Sequence, residues 1–221
     1  MAEVVWRPDE QTLEHANVVR LMRRHGLATY RELVARSIEE PEWFWAAAVE
    51  DLGLEFFEPW KQVVDLSRGP EWATWFAGGK LNIAWNCVHR WRSDRPAAVF
   101  CGEDGARRSL TYAELSDAVT RLAERLVELG VEPGDRVAIY LPMSPEAAIA
   151  SHACAHVGAV QVPVFSGFAA PAVAGRLVDS EARVAITART SLRRGREVPM
   201  LEILEEARQE APALEHVIVA P

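Results

Sequence analysis

With 221 residues, about half of them apolar and a quarter charged, the chain has the composition of an ordinary soluble globular protein and can bury a sizeable core. A formal net charge of -8 argues against nucleic acid as a general partner, because a surface of that sign repels phosphate backbones. No apolar run approaches the ~18 residues of a membrane-spanning helix, and the acidic stretch Met1 to Glu10 has no signal-peptide core. The expectation is a cytoplasmic protein without membrane contact.

Seven of the eight tryptophans lie between Trp43 and Trp91, which sets residues 1–95 apart from residues 96–221. In the first region, Leu13, Ala16, Val19, Leu21 and Met22 follow helical spacing, and His25-Gly26 ends that helix. Thr29-Tyr30-Arg31-Glu32 is a capping-box pattern for a second helix. A third opens at Pro41 and stops at Gly53. From Leu54 to Asn82 the chain is irregular, aromatic and broken by glycine and proline, as expected of a segment that wraps a larger body.

From Ala97 the pattern becomes a regular alternation. A strand at Ala97–Cys101 turns through Gly102-Glu103-Asp104-Gly105 into a return strand ending near Leu110. Thr111-Tyr112-Ala113-Glu114 is another capping box, and Leu115, Val119, Leu122, Leu126 and Leu129 share one face of the helix behind it. Next come a strand at Arg136–Leu141, a helix capped by Ser144-Pro145-Glu146 and ending near Gly158, and a strand at Ala159–Phe165. A helix from Pro171 to Ser180, a strand at Arg183–Thr187, a basic loop, a helix from Pro199 to Gln209 and a strand at His216–Ala220 complete the chain. The near-continuous apolar strands Val137–Leu141 and Val160–Phe165 suit a parallel sheet covered on both faces. The fold class is therefore α/β, a doubly wound, mainly parallel sheet preceded by a mostly helical, Trp-rich extension. His216–Val219 reads as an interior strand at the very end of the sequence, which creates the expectation of a truncated subdomain whose exposed edge invites self-association.

Cys87, Cys101 and Cys154 are odd in number and far apart, and are read as buried, reduced thiols. No G-x-G-x-x-G after a strand, no G-x-x-x-x-G-K-[ST] and no G-x-S-x-G occurs, so the residues alone supply no complete catalytic constellation. No catalytic residue and no metal ligand is assigned. His152 and His156, four apart on a helix, have metal-binding spacing but no third ligand in reach by sequence, so helix packing or exposure is the preferred reading.

Ordered strings carry a family resemblance. Trp75-Phe76, Gly78-Gly79-Lys80-Leu81-Asn82 and Asn86-Cys87 resemble the "WF-x-G-G-x-L-N … N-C" segment of AMP-forming acetyl-CoA synthetases. Thr111-Tyr112-Ala113-Glu114-Leu115 is similar to the "T-Y-x-E-L" of the wider adenylate-forming ligases. Gly134 to Met143 with Pro145-Glu146-Ala147 resembles "G-D-x-V-A-I-Y-M-P-M-x-P-E-A". Gly158-Ala159-Val160, Phe165-Ser166-Gly167-Phe168, Ala174-Gly175-Arg176, Arg193-Arg194-Gly195-Arg196 and Glu215–Val219 continue in the same order. The resemblance runs from about residue 40 to the end. It implies the N-terminal portion of an acyl-CoA synthetase that activates a short carboxylic acid with ATP and magnesium and passes the acyl group to CoA. The phosphate loop, adenylate contacts and catalytic lysine are expected beyond Pro221, and the chain alone is expected to be inactive.

By the same resemblance, Arg193 and Arg196 are expected to contact the 3′-phosphate and adenine of CoA, and Phe165, Ser166 and Gly167 to line the approach of its pantetheine tail. Guanidinium groups suit this, since they pair with phosphate oxygens and stack on bases. Arg183, Arg189 and Arg194 add to the local positive charge. The other reading of the arginines is a solvated basic loop; that of Phe165–Phe168 is a strand-to-helix turn needing one flexible residue. Ser166 stands where the family has a glycine. His89 and Trp91 replace the acid and histidine of the family's "N-C-x-D-R-H", so either a partner pair has been exchanged or the branch takes another acid. Two further alternatives are a stand-alone module binding CoA or an acyl carrier, and an interaction remnant without catalysis.

Overall fold

The computed structural model describes residues 5–220; Met1 to Val4, the start of the acidic N-terminal stretch, and Pro221 lie outside the described residues. The chain forms two compact units, Met1–Leu81 and Asn82–Pro221.

The first unit opens with α1 (Glu10–His15) and α2 (Asn17–Arg24). The sequence pattern predicts one helix here; the structure breaks it at Ala16, which is extended. The Asp9 carboxylate caps α1 by accepting from the Thr12 N–H at 2.8 Å, and α1 buries none of its residues, so nothing holds it in line with α2. In α3 (Tyr30–Glu39), the Thr29 hydroxyl accepts from the Glu32 N–H. The Glu32 carboxylate reaches back to the Ala28 N–H, one residue earlier than the capping-box pattern requires. Pro41 opens α4 (Pro41–Leu52), and Gly53 closes it in the left-handed conformation that costs glycine least. Leu21, Met22, Leu33 and Ala47 form a small core, with Leu27, Trp43 and Phe44 packed on it. The segment read as irregular contains a short antiparallel pair, β1 (Gln62–Asp65) and β2 (Thr74–Ala77), with Phe56, Trp60 and Phe76 meeting edge to face or tilted beside it.

The units divide earlier than the change of composition near residue 95. The short helix α5 (Ile83–Cys87) and the turn after it pack against later helices. Asn82 links them: its side-chain oxygen accepts from the Trp85 N–H and caps α5, and its side-chain NH2 donates to the Ala155 and His156 carbonyls. The hairpin β3 (Pro96–Cys101) and β4 (Arg107–Thr111) then leads into α6 (Tyr112–Glu128), whose Thr111–Glu114 capping box is complete.

The frame of the second unit is a parallel sheet of β5 (Arg136–Tyr140), β6 (Val160–Pro163), β7 (Val184–Ala188) and β10 (His216–Ala220) in the order β10-β7-β5-β6. Alternation along β5 sends Val137 and Ile139 into one core with α6 and α7 (Pro145–Val157). Ala138 and Tyr140 enter a second core with α8 (Ala170–Ser180) and α9 (Met200–Arg208). Both faces of the sheet are thus covered, as the α/β reading requires.

Some strand expectations change. The strand read at Ala159–Phe165 is shorter and less covered than expected: β6 lies at the sheet edge, stops at Pro163 and is largely exposed. Proline has no N–H for a further ladder bond, which suits that position. β10, read as interior, pairs with β7 alone among the described residues. The basic loop is a hairpin, β8 (Ser191–Arg193) and β9 (Arg196–Val198). Of the cysteines only Cys154 is buried, which pushes its thiol up to about 12; Cys87 and Cys101 are exposed.

Candidate functional site

Chain connections leave β5 toward β6 on one side and β7 toward β10 on the other. The loops at the carboxyl ends of β5 and β7 therefore part at a switch point, where open α/β sheets bind ligands. A cleft of about 440 Å³ lies there. Pro142 and Met143 line it from the loop after β5, Ser166 from the loop after β6, and Ser191, Leu192 and Arg193 from β8. Cys101 to Asp104, at the end of β3 and in the turn after it, complete the wall. Met143 is 97% exposed, an apolar side chain with its surface open to a partner group.

The predicted loop and the arginine hairpin meet. The Arg193 guanidinium lies over the Phe165 ring, 5.0 Å from its centroid, and Phe165 meets Phe168 edge to face at 5.3 Å. Phe165 remains 55% exposed, so a planar group can still reach its ring. Gly167 has an ordinary φ; a β-carbon there would meet the Arg193 guanidinium and the edge of the Phe165 ring, so glycine leaves the arginine room to lie on the ring. The Gly167 backbone, the Phe165 ring and the Arg193 charge thus form one continuous surface, with half-buried Ser166 beside it.

Arg194 and Gly195 both have positive φ, 51° and 70°, which gives a two-residue hairpin turn of the type whose twist fits its strands. The register pairs Arg193 with Arg196, so the two predicted residues share one face of the hairpin while Arg194 occupies the tip. Arg183 does not join them. It precedes β7, at the opposite end of the sheet, and is engaged by Glu215 at 2.9 and 3.3 Å and by Asp135 at 3.1 Å.

Residues not singled out from sequence support this surface. The fully buried Tyr140 phenol donates to the Phe168 carbonyl at 3.0 Å and ties the loop after β6 to the central strand. Burial raises its pKa, so it stays a neutral donor. Arg176 of α8 stacks on Phe168, 4.2 Å from its centroid. A tyrosine in an otherwise apolar central strand was the available signal, since a buried phenol needs a partner.

The histidines have another arrangement. His152 Nδ1 bonds the Ala148 carbonyl, whereas His156 Nδ1 meets His89 Nε2 at 2.9 Å and His89 Nδ1 meets the Ser116 hydroxyl at 2.9 Å. Among the described residues, no group of three or more His, Cys, Asp or Glu is placed to hold a metal ion.

The family profile described as "AMP-binding enzyme" matches residues 85–221, which include the whole cleft and all five predicted contacts. The chain belongs to the AMP-binding enzyme family. A second profile, "Acetyl-coenzyme A synthetase N-terminus", matches residues 30–87. This AMP-binding family member is 37% identical over 220 residues to acetyl-coenzyme A synthetase of Methanothrix thermoacetophila, covering 97% of this chain and 33% of the relative. It is 43% identical over 216 residues to that of Streptomyces coelicolor, covering 92% and 33%. Among solved structures, the acetoacetyl-CoA synthetase from Streptomyces lividans superimposes with a TM-score of 0.90 at 33% identity, covering 100% of this chain and 35% of that one. The chain thus spans about a third of the length of the relatives it matches, and its α/β fold is theirs.

Proposed function

We propose that this chain supplies the CoA-facing wall of an AMP-forming acid–thiol ligase. In the complete reaction a short carboxylate attacks the α-phosphate of ATP, the bond to pyrophosphate breaks, and the acyl-adenylate then loses AMP as the CoA thiol attacks the acyl carbon. The observation that carries this reading is the single surface made by Arg193, Phe165 and Gly167 at the carboxyl edge of the sheet. It sits in a chain similar to acetyl-coenzyme A synthetases over nearly its whole length.

Arg193 and Arg196 offer planar, fixed charge for the 3′-phosphate and a face for adenine stacking. Phe165, Ser166 and the bare Gly167 backbone form the track for the tail. The cleft lining brings the Arg193 charge beside the Ser166 and Ser191 hydroxyls, groups suited to binding and orienting a ligand. ATP and magnesium belong to the activating half-reaction. The described residues hold no group of three carboxylate, imidazole or thiolate ligands fit for an ion, and no step of this wall runs through one.

Calorimetric titration of the chain with CoA and with dephospho-CoA tests the reading. CoA should bind and dephospho-CoA should bind clearly more weakly. Equal affinities would remove the 3′-phosphate role, and no binding of either would remove the wall. ATP–pyrophosphate exchange with acetate, propionate and butyrate, run on this chain and on the product of any longer reading frame, should be absent from the chain alone. Exchange by the 221 residues themselves would overturn that part.

A further inference from the structure

The hairpin β8–β9 cannot owe its position to its own ladder. It has three residues per strand, and a two-stranded ribbon of that length is marginal in water. Its register sets Arg193 opposite Arg196, and like charges directly across a ladder repel. Arg194 also holds a left-handed conformation that L-residues other than glycine, asparagine and aspartate visit at a cost. At the base of the hairpin Val198 packs on the second core, and further along the Arg193 guanidinium stacks on Phe165. At the tip a contact reaches the backbone: the Glu103 carboxylate accepts a hydrogen bond from the Gly195 N–H at 3.2 Å, across 92 residues of sequence.

Glu103 is itself held in an ordered turn. The Gly102 N–H donates to the Ala106 carbonyl at 2.8 Å, the Gly105 N–H to the Gly102 carbonyl at 3.0 Å, and the Ala106 N–H to the Asp104 carboxylate at 2.9 Å. The β3–β4 turn and the hairpin tip are therefore two rims of the same cleft, joined by one bond.

We propose that Glu103 is a positioning residue for the arginine hairpin: by holding the Gly195 N–H it keeps Arg193 at the cleft, with Arg196 across the ladder from it, before any ligand arrives. This rests on the CoA-binding reading above for its consequence, but not for the contact itself. Glu103 makes no claim on the coenzyme. Its carboxylate would in fact repel a phosphate, so its value lies in the acceptor atom and not in the charge. Those two properties separate by substitution. Glu103→Gln keeps a carbonyl that can accept from Gly195 and removes the charge; Glu103→Ala removes both. Glu103 is exposed, so neither change touches a core.

The experiment has two readouts on the chain as it stands. Amide hydrogen exchange at Gly195, followed by NMR without ligand, should be faster in Glu103→Ala by on the order of threefold to tenfold, as loss of one exposed hydrogen bond implies. Glu103→Gln should restore slow exchange. Titration with CoA should show a similar loss of affinity in Glu103→Ala and affinity within about twofold of the unsubstituted chain in Glu103→Gln, with rescue by the neutral isostere marking an acceptor role. Unchanged Gly195 exchange in Glu103→Ala, or a Glu103→Gln chain as impaired as Glu103→Ala, overturns the proposal. If no form binds CoA, the functional reading falls and the Gly195 exchange alone decides whether Glu103 anchors the hairpin.

Discussion

In the unit Asn82–Pro221, Val137, Ala138, Ile139 and Tyr140 follow one another along β5 and all are shielded from water, because helices cover both faces of the sheet. In the unit Met1–Leu81, helix α1 buries nothing and the core is a handful of residues contributed by α2, α3 and α4. Charge and aromatic contacts do more of the holding there. Asp51 takes Arg20 at 2.9 Å and Arg24 at 3.4 Å, Arg36 stacks on Trp43 at 3.7 Å, and Phe56, Trp60 and Phe76 pack ring on ring. A hydrophobic core scales with the area it removes from water, whereas an ion pair depends on geometry and pH. The two units should therefore respond differently to the same kinds of insult.

The largest effect is expected in the sheet unit. Leu177 is fully buried on α8, and Leu177→Ala should destabilise this unit by about 3 kcal/mol through lost burial and the cavity left behind. Leu33→Ala, in the smaller core, should cost about 2 kcal/mol, since a thin layer collapses more easily around a void. Urea unfolding followed by circular dichroism and by tryptophan fluorescence would separate the units, because Trp43, Trp45, Trp60, Trp72 and Trp75 lie in the first and Trp85 and Trp91 in the second. If both signals shift together for either variant, the units unfold as one and the comparison fails.

Asp51→Asn tests the other half. The carboxylate side chain is 7% exposed. The Arg20 hydrogen bonds lower its pKa against the opposing effect of burial, with the charges of Arg20 and Arg24 adding to them. Because the folded value lies below the unfolded one, the stability it contributes is present above the unfolded value of about 4 and is lost as pH falls through the folded value. At pH 7 the substitution should cost on the order of 1–2 kcal/mol, seen mainly in fluorescence. The acid limb of the unfolding midpoint should flatten with it. A neutral result would mean that the pair only replaces water.

Much of this division is visible in the residues, and the parts that are not share a cause. Pro41 and Gly53, Thr111 and Glu114, Pro145 and Gly158 mark helix ends through local chemistry, and all act where the sequence places them. The two-sided burial of β5 follows from its unbroken apolar run. Long-range contacts carry no such local mark. Nothing adjacent to Tyr140 announces Phe168, nothing near Glu103 announces Gly195, and Arg183 looks as basic as Arg193 until Glu215 and Asp135 are seen to occupy it. The hairpin was obscured because Arg194, a bulky residue, takes the left-handed position that asparagine or glycine would have advertised. The gathering of Phe165, Gly167 and Arg193 was foreseeable from family strings; their stacking geometry was not.

That stack sets the next effect, which concerns binding and not stability. Gly167→Ala should push the guanidinium off Phe165 and weaken CoA binding about tenfold, as misplacement of an orienting charge does, with the unfolding midpoint unchanged. Arg193→Lys should do the same while keeping the charge, because ammonium lacks the planar face. If Gly167→Ala instead lowers stability as much as Leu177→Ala, the loop belongs to the core and is not a surface mounted on it.

The smallest effect is a pH response that should distinguish the units. His89 sits between Ser116 of α6 and His156 of α7, with His152 and Arg92 also acting on it. Burial lowers its pKa most, and the neighbouring positive groups lower it further. A histidine whose folded pKa lies below its unfolded value near 6.5 binds fewer protons when folded. Its stability contribution is full above that value and is lost as pH falls through the folded pKa. The sheet unit should therefore begin to soften just below pH 6.5, whereas the Asp51 contribution in the first unit persists until about pH 4. Thermal unfolding between pH 7.5 and 5.5 should show a falling midpoint in the circular dichroism signal, and His89→Gln, which can still bond Ser116, should flatten it. A slope that survives His89→Gln would assign the acid sensitivity to other groups and leave the histidine pair as packing alone.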